Sequence, residues 1–348
     1  MTAESNRIFV QSVKASRRVP AIAQALSDGL TYTGRMPTVG ARWIVKLNLT
    51  YPRYLPGVVN SPEFVEGMCQ WARDARVHLT FIEGDGGNGS YSAEDTLRNN
   101  GVCTLAEHYG MATLSISPKP WEWLETDVGR FRVRLPYSPM LLRRDFDAFV
   151  SAPLFKNHVV TTVTLGMKNL WGCIPDAYRM YYHPDLHPGI VALAKELRPD
   201  FSIFDGVIAL RGAGPMDGDP VETNYVMVAG SLGAGEVAAL ELMSIPLDKV
   251  RHLALASGEG LLPTPVQLQW STSPEVFRRR DFIVRRTMVQ CASIFFWKWK
   301  LPRLQRFVYH SRWSRYIYSL VDRLRPNSPT ADLVRAKRKN AYSTIPRD

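Results

Sequence analysis

Apolar runs that end in polar clusters recur along this chain. Trp43-Ile44-Val45 runs into Lys46 and Asn48, and Leu79-Thr80-Phe81-Ile82 runs into Glu83 and Asp85. Phe149-Val150, continuing through Ala152-Pro153-Leu154-Phe155, runs into Lys156 and His158. Phe201-Ser202-Ile203-Phe204 runs into Asp205-Gly206, and Tyr225-Val226-Met227-Val228 into Gly230-Ser231. Short apolar runs bounded by turn residues mark buried strands. Between them the spacing becomes helical. Ser61-Pro62-Glu63 is a helix start, with serine as N-cap and proline as first helical residue. Phe64, Val65, Met68, Trp71 and Ala72 then recur on one face. Further helices are expected near 92–99, 103–109, 189–197 and 234–243, and strands near 77–83, 112–117, 147–155, 201–205 and 225–229. Residues 1–40 read as an irregular lead-in with a short helix over 17–29. Residues 118–140 carry four prolines and read as loop or short β segments, and 156–188 as a long polar loop.

This alternation predicts an α/β fold over about 1–275: a mostly parallel sheet with helices on both faces, in one body or two lobes. In an open sheet of that kind the carboxyl ends of the strands face one crevice, where ligands bind. Two lysines, a histidine and three carboxylates are thereby expected to meet there.

The chain has 348 residues, enough for a sizeable core, and its hydrophobic share of 45% is ordinary. Its net charge of +11 is not, and implies attraction to anions. Between Arg278 and Lys339 seventeen Lys/Arg stand against three Asp, which accounts for the whole excess. Residues 303–324 bring Leu304, Phe307, Val308, Ile317, Leu320, Val321 and Leu324 near one helical face, just after Ile294-Phe295-Phe296-Trp297-Lys298-Trp299-Lys300. Residues 276–348 are therefore expected to be a basic helical extension. Such a segment suits an acidic membrane surface through 278–339; packing on the body is the bland alternative, and nucleic acid fits less well. The four cysteines show no C-x-x-C spacing, which excludes a zinc ribbon and a cysteine-ligated iron–sulfur cluster and agrees with a reducing cytoplasm. The amino terminus does not read as a signal peptide, and no apolar stretch reaches the ~18 residues of a spanning helix. The expected location is cytoplasmic, with peripheral contact on the inner membrane face.

Gly84-Asp85-Gly86-Gly87-Asn88-Gly89 matches G-x-G-x-x-G after a strand, so Gly84, Gly86 and Gly87 are candidates for cradling an anion. A plain flexible connection is the competing reading. Lys156-Asn157-His158 is followed one loop later by Gly166-Met167-Lys168-Asn169-Leu170. A lysine beside a second cation in a poorly hydrated pocket can lose its proton and act as base or nucleophile; otherwise it holds an anion. His183-Pro184-Asp185-Leu186-His187 offers two imidazoles for a divalent metal, though Pro184 denies it the helical i, i+4 chelate. Asp205 reads equally as general base, ligand or turn residue. No G-x-S-x-G elbow surrounds Ser231, and no Walker A sequence is present.

Lys156-x-His158, Thr164-x-Gly166-x-Lys168-Asn169-x-x-Gly172, Asp205-Gly206 and Gly212-x-Gly214-Pro215 together resemble domain-of-unknown-function family 362. The resemblance extends to Lys46-Leu47-Asn48, Ser61-Pro62-Glu63 and the loop Glu83–Gly87, and covers roughly 41–260. It implies an α/β fold and a polar site without naming a reaction. Many relatives carry ferredoxin-type cysteines, which this chain lacks. Where the family commonly shows D-P-V-A-x-D, this chain has Ser231 in the first acidic position and Glu236 near the second.

The expectation is an enzyme acting on an anionic small molecule, in biosynthesis, by isomerase-, cyclase- or lyase-like acid/base chemistry. Lys156, His158, Lys168 and Asp205 are its catalytic candidates; Lys46, Asn48, Asn169 and the loop glycines are its binding candidates; His183 and His187 are its metal candidates. Two alternatives stay open: a redox or metal-dependent accessory protein, and a membrane-surface adaptor.

Overall fold

The computed structural model describes residues 3–286 and Cys291, apart from residues 14, 87, 88, 119 and 144. Its strands are β1 (Arg7–Ser12), β2 (Arg42–Leu47), β3 (His78–Glu83), β4 (Ala112–Ser115), β5 (Glu122–Val128), β6 (Phe131–Tyr137), β7 (Ala148–Ala152), β8 (Leu154–His158), β9 (Thr162–Thr164), β10 (Phe201–Arg211), β11 (Asp219–Ala229) and β12 (Gln269–Trp270). Its helices are α1 (Arg18–Tyr32), α2 (Pro62–Ala75), α3 (Ala93–Asn99), α4 (Val102–Tyr109), α5 (Met140–Arg143), α6 (Gly166–Asn169), α7 (Leu186–Leu197), α8 (Leu232–Leu242) and α9 (Arg251–Gly258).

Ten strands form one sheet; eight are ordered β12-β1-β11-β10-β7-β2-β3-β4, and β8 branches from β10 and pairs with β9. From β10 to β4 all neighbours are parallel; β11 runs antiparallel to both β10 and β1, so β1 and β12 again follow the direction of the parallel strands. Alternate residues of these strands feed two cores on opposite faces. One face carries Ile44, Phe149, Phe204 and Met227 against α7, α8 and α9; the other carries Val45, Val150, Ile203 and Val226 against α1, α2 and α4. The β5–β6 hairpin packs over α7. An α/β fold with a mostly parallel sheet covered on both faces is thus the observed architecture.

Several local expectations are corrected. The lead-in supplies a sheet strand, β1, whose alternation buries Ile8 and Val10 while Arg7, Phe9 and Gln11 stay partly exposed. The polar stretch after Lys156 contains a hairpin, β8–β9, and then α6. β10 does not stop at Asp205; it continues to Arg211 through an irregularity between Gly206 and Ile208. β11 begins at Asp219 and runs antiparallel, so its carboxyl end does not join the common crevice. Ser231 instead caps α8, its Oγ accepting from Ala234 N–H at 3.2 Å.

The start of the extension also differs from the helix expected of it. Residues 277–286 are not helical and hold to the body. Phe282 is in the core, Arg278 pairs with Glu241 at 2.7 Å, and Arg286 donates to the Val159 carbonyl at 2.7 Å. The amphipathic pattern over 303–324 and the aromatic stretch 294–300 lie outside the described residues. Among the described residues no helix is long and apolar enough to cross a membrane.

Candidate active site

The site assembles where β2 and β3 end, with β8 and α6 beside them. Lys46, near the end of β2, is buried and donates to the Leu47 carbonyl at 2.5 Å and to Glu83 at 2.8 Å from Oε1 and 2.9 Å from Oε2. Glu83 closes β3, and its oxygens also accept from the backbone N–H of Gly84 at 3.0 Å and of Leu49 at 3.2 Å. A buried ion pair persists when its remaining lone pairs and protons are met in this way. Lys156, fully buried on β8, donates to Asn48 Oδ1 at 2.9 Å and to the Val58 carbonyl at 2.8 Å. Asn48 Nδ2 donates to Asn169 Oδ1 at 3.2 Å, and Asn169 Nδ2 to the Lys46 carbonyl at 2.9 Å. The two asparagines thus bind β2, β8 and α6 into one unit.

Lys168, on α6, is half-buried with its Nζ 5.9 Å from the centre of the Trp171 ring. Among the described residues it has neither a hydrogen-bond acceptor nor a carboxylate partner. Burial lowers it to about 7, helped by the charges of Arg179 and Lys46. Burial likewise lowers Lys156 to about 7, helped by Lys168 and Lys46, with Glu83 pulling the other way. Arg179 is anchored by the carbonyls of Ile174 and Asp85.

The glycines around Lys168 have a steric reason. A Cβ on Gly166 would lie 2.7 Å from Leu232 and 3.0 Å from Glu236 Oε1. One on Gly172 would lie 2.8 Å from Lys46 Nζ and 3.2 Å from Glu83 Oε1. The glycines of Gly166-x-Lys168-Asn169-x-x-Gly172 therefore let the chain pass close to two buried carboxylates, Glu236 at Gly166 and Glu83 at Gly172.

Glu236, on α8, is the principal residue that the sequence reading left out of the site. It is fully buried, its Oε1 accepts from Met167 N–H at 2.6 Å, and among the described residues its Oε2 has no hydrogen-bond partner. Burial raises it to about 8, against the pull of the Met167 and Gly166 N–H groups. Its signal was present: a lone acid inside Leu232-Gly-Ala-Gly-Glu-Val-Ala-Ala-Leu240, a helix apolar on every side.

Asp205 is anchored rather than open. Its carboxylate accepts from Ser61 N–H at 2.6 Å, Val207 N–H at 3.0 Å, Ser61 Oγ at 3.3 Å and Asn60 Nδ2 at 3.4 Å. Burial still raises it to about 6. These four donors occupy the lone pairs that a general base or metal ligand would use, and the Asp205 geometry fits a tie between β10 and the start of α2. His158 accepts from Val160 N–H at 3.1 Å and Thr161 N–H at 3.4 Å, both at Nδ1. Its neutral ring therefore carries the proton on Nε2 and offers a donor. Burial, then Lys168 and Lys156, hold it well below the usual imidazole range.

His183 lies 6.0 Å from Trp171, ring centre to ring centre, and burial, Lys168 and His187 lower it to about 3. His187 stacks on His252 at 6.1 Å. Among the described residues no three His, Cys, Asp or Glu side chains come together as a metal ligand set. His183 lies where it feels the Lys168 charge, and His187 lies against His252 and His183. The glycine loop is corrected. Gly84 N–H binds Glu83, Asp85 N–H binds Ser117 Oγ at 2.8 Å, and Gly86 N–H binds the Tyr91 carbonyl at 3.1 Å. These amides close the loop on itself and are not turned to an anion; Gly87 lies outside the described residues.

The family model for a domain of unknown function, DUF362, matches residues 44–241, and the chain belongs to that family. A thylakoid-associated protein of Synechocystis is 27% identical over 76% of this chain and 86% of its own length. The lactate racemase apoprotein of Thermoanaerobacterium thermosaccharolyticum overlaps 70% of this chain at 11% identity with a TM-score of 0.40. The chain spans 58% of that racemase, and at this overlap the likeness transfers neither fold nor activity.

Proposed function

We propose that this member of the DUF362 family is an enzyme that acts on an anionic small molecule by acid/base chemistry beside Lys168. The observation that carries the reading is the charge balance: Lys168 feels Lys46 and Arg179, Lys156 feels Lys168 and Lys46, and Glu83, which pairs with Lys46, is the carboxylate seen to act on this group. Cations gathered in a poorly hydrated place repel one another, and a bound carboxylate or phosphate removes that repulsion. The neutral His158 supplies a hydrogen-bond donor at Nε2. Isomerase- or lyase-like proton transfer needs only these groups.

The test is thermal stabilisation of the full-length protein by inorganic phosphate, citrate and small carboxylates at low ionic strength. Stabilisation in the wild type that disappears in Lys168→Met supports the site. Equal responses of the two proteins, or none in either, refute it.

A second reading concerns location. The relative associated with thylakoids and the basic, aromatic composition of 278–339 favour peripheral contact with an acidic membrane surface. Sedimentation with phosphatidylserine vesicles, lost on removing 287–348, is the expected result; equal sedimentation of the truncated chain would overturn it.

A further inference from the structure

The three lysines of the site are not equivalent. The Lys46 ammonium is bound to Glu83 and the Leu47 carbonyl, and the Lys156 ammonium to Asn48 Oδ1 and the Val58 carbonyl. Each would break hydrogen bonds to release its nitrogen for chemistry. Lys168 breaks none, because no acceptor among the described residues holds it. Its nitrogen sits against the face of Trp171, with Arg179 and Lys46 as its nearest charged influences. An amine with no hydrogen-bond acceptor, partly buried over an aromatic ring and near two other cations is pushed toward its neutral form, whose lone pair can attack a carbonyl.

We propose that Lys168 is an imine-forming lysine for a small carbonyl compound that carries a carboxylate or phosphate. This rests on the anion site proposed above. The neutral Nζ adds to the carbonyl carbon, a C–N bond forms, and the C=O electron pair moves to oxygen, which takes up a proton. Loss of that oxygen as water, with the nitrogen's proton, leaves the C=N bond. His158 feels the Lys168 charge, and its Nε2–H is the proposed donor to the departing oxygen. The protonated imine withdraws electrons from the neighbouring carbon, which is the activation that isomerase- and lyase-like steps require.

The experiment is reduction of the full-length protein with sodium borohydride in the presence of pyruvate, 2-oxoglutarate or glyceraldehyde 3-phosphate, followed by peptide mapping. The expected result is a stable adduct on Lys168 with at least one of these compounds, absent in Lys168→Arg. Phosphate stabilises the wild type in parallel. No adduct at Lys168 in a protein that phosphate does stabilise overturns the imine and leaves the anion site standing. No adduct and no stabilisation overturns both. Adducts scattered equally over exposed lysines also overturn the proposal.

Discussion

Replacing Glu236 by glutamine tests the buried acid directly. Gln has the same shape; its amide oxygen can accept from Met167 N–H, and its amide nitrogen takes the place of the unpartnered Oε2. The folded carboxyl keeps its proton up to about 8, whereas an exposed one releases it near 4.5. Between these values the folded state binds more protons than the unfolded state, so this residue makes wild-type stability fall as pH rises. One pH unit across the window corresponds to about 1.4 kcal/mol, so the wild type loses roughly 3 kcal/mol between pH 5 and pH 7.5 that the variant keeps. At pH 5 both side chains are neutral and the two proteins should agree within about 1 kcal/mol. The assay is urea unfolding at half-unit steps from pH 5 to pH 8.5, plotted as the variant-minus-wild-type difference. The difference should grow with pH and level off above about 8. A difference that stays flat across the range would show that Glu236 ionises like an exposed acid, and the argument from its burial would fail.

Further outcomes follow from the same geometry. Gly172→Ala drives a methyl against Lys46 and Glu83 and should cost about 1–3 kcal/mol, while Gly258→Ala, where a Cβ meets nothing within 4 Å, should be neutral or slightly favourable; chemical denaturation of both compares them. Lys156→Met leaves Asn48 Oδ1 and the Val58 carbonyl unpaired and should cost about 2 kcal/mol near pH 7. Because folded Lys156 titrates near 7 and an exposed lysine near 10.5, the unfolded state binds more protons in between, and the wild type gains stability with pH across that window; the variant should lose this share of the gain. Ser231→Ala removes the α8 cap and should cost about 1 kcal/mol without changing stabilisation by phosphate, as thermal melts with and without the anion will report.

The strand ends were legible because β2, β3, β7, β8 and β10 are largely buried on both faces and the first polar residue stands out against the run before it. That placed Lys46, Glu83, Lys156 and Asp205 in sequence. It could not tell which of them stay open to a ligand. Asp205 reads as a base by position, yet Ser61, Asn60 and Val207 take up its oxygens, and two of those partners come from a segment more than 140 residues away. Gly84 and Gly86 matched a phosphate loop by spacing, but their amides close on Glu83 and Tyr91. β1 was missed because Arg7-Ile-Phe-Val-Gln-Ser12 is short and flanked by charge, and only pairing with β11 makes it a strand. β8 was cut short at Phe155 and β9 was missed because their polar residues enter a buried network rather than solvent, so Lys156-Asn157-His158 looked like loop. Motif spacing fared best where sterics demand it, at Gly166 and Gly172.

The Asn48–Asn169 crosslink joins segments 121 residues apart in the chain, and Lys156 reaches Asn48 across 108. Contacts of such separation form late, once the sheet has brought its strands together. The crowding of cations is thus a property of the finished structure alone: the unfolded chain does not feel it, and an early folding nucleus feels little of it. A bound anion would accordingly relieve strain that exists only on the native side of the barrier. Its signature would be a slower unfolding limb with nearly unchanged refolding, so the ligand would act on this protein as a brake on opening rather than as a guide to folding.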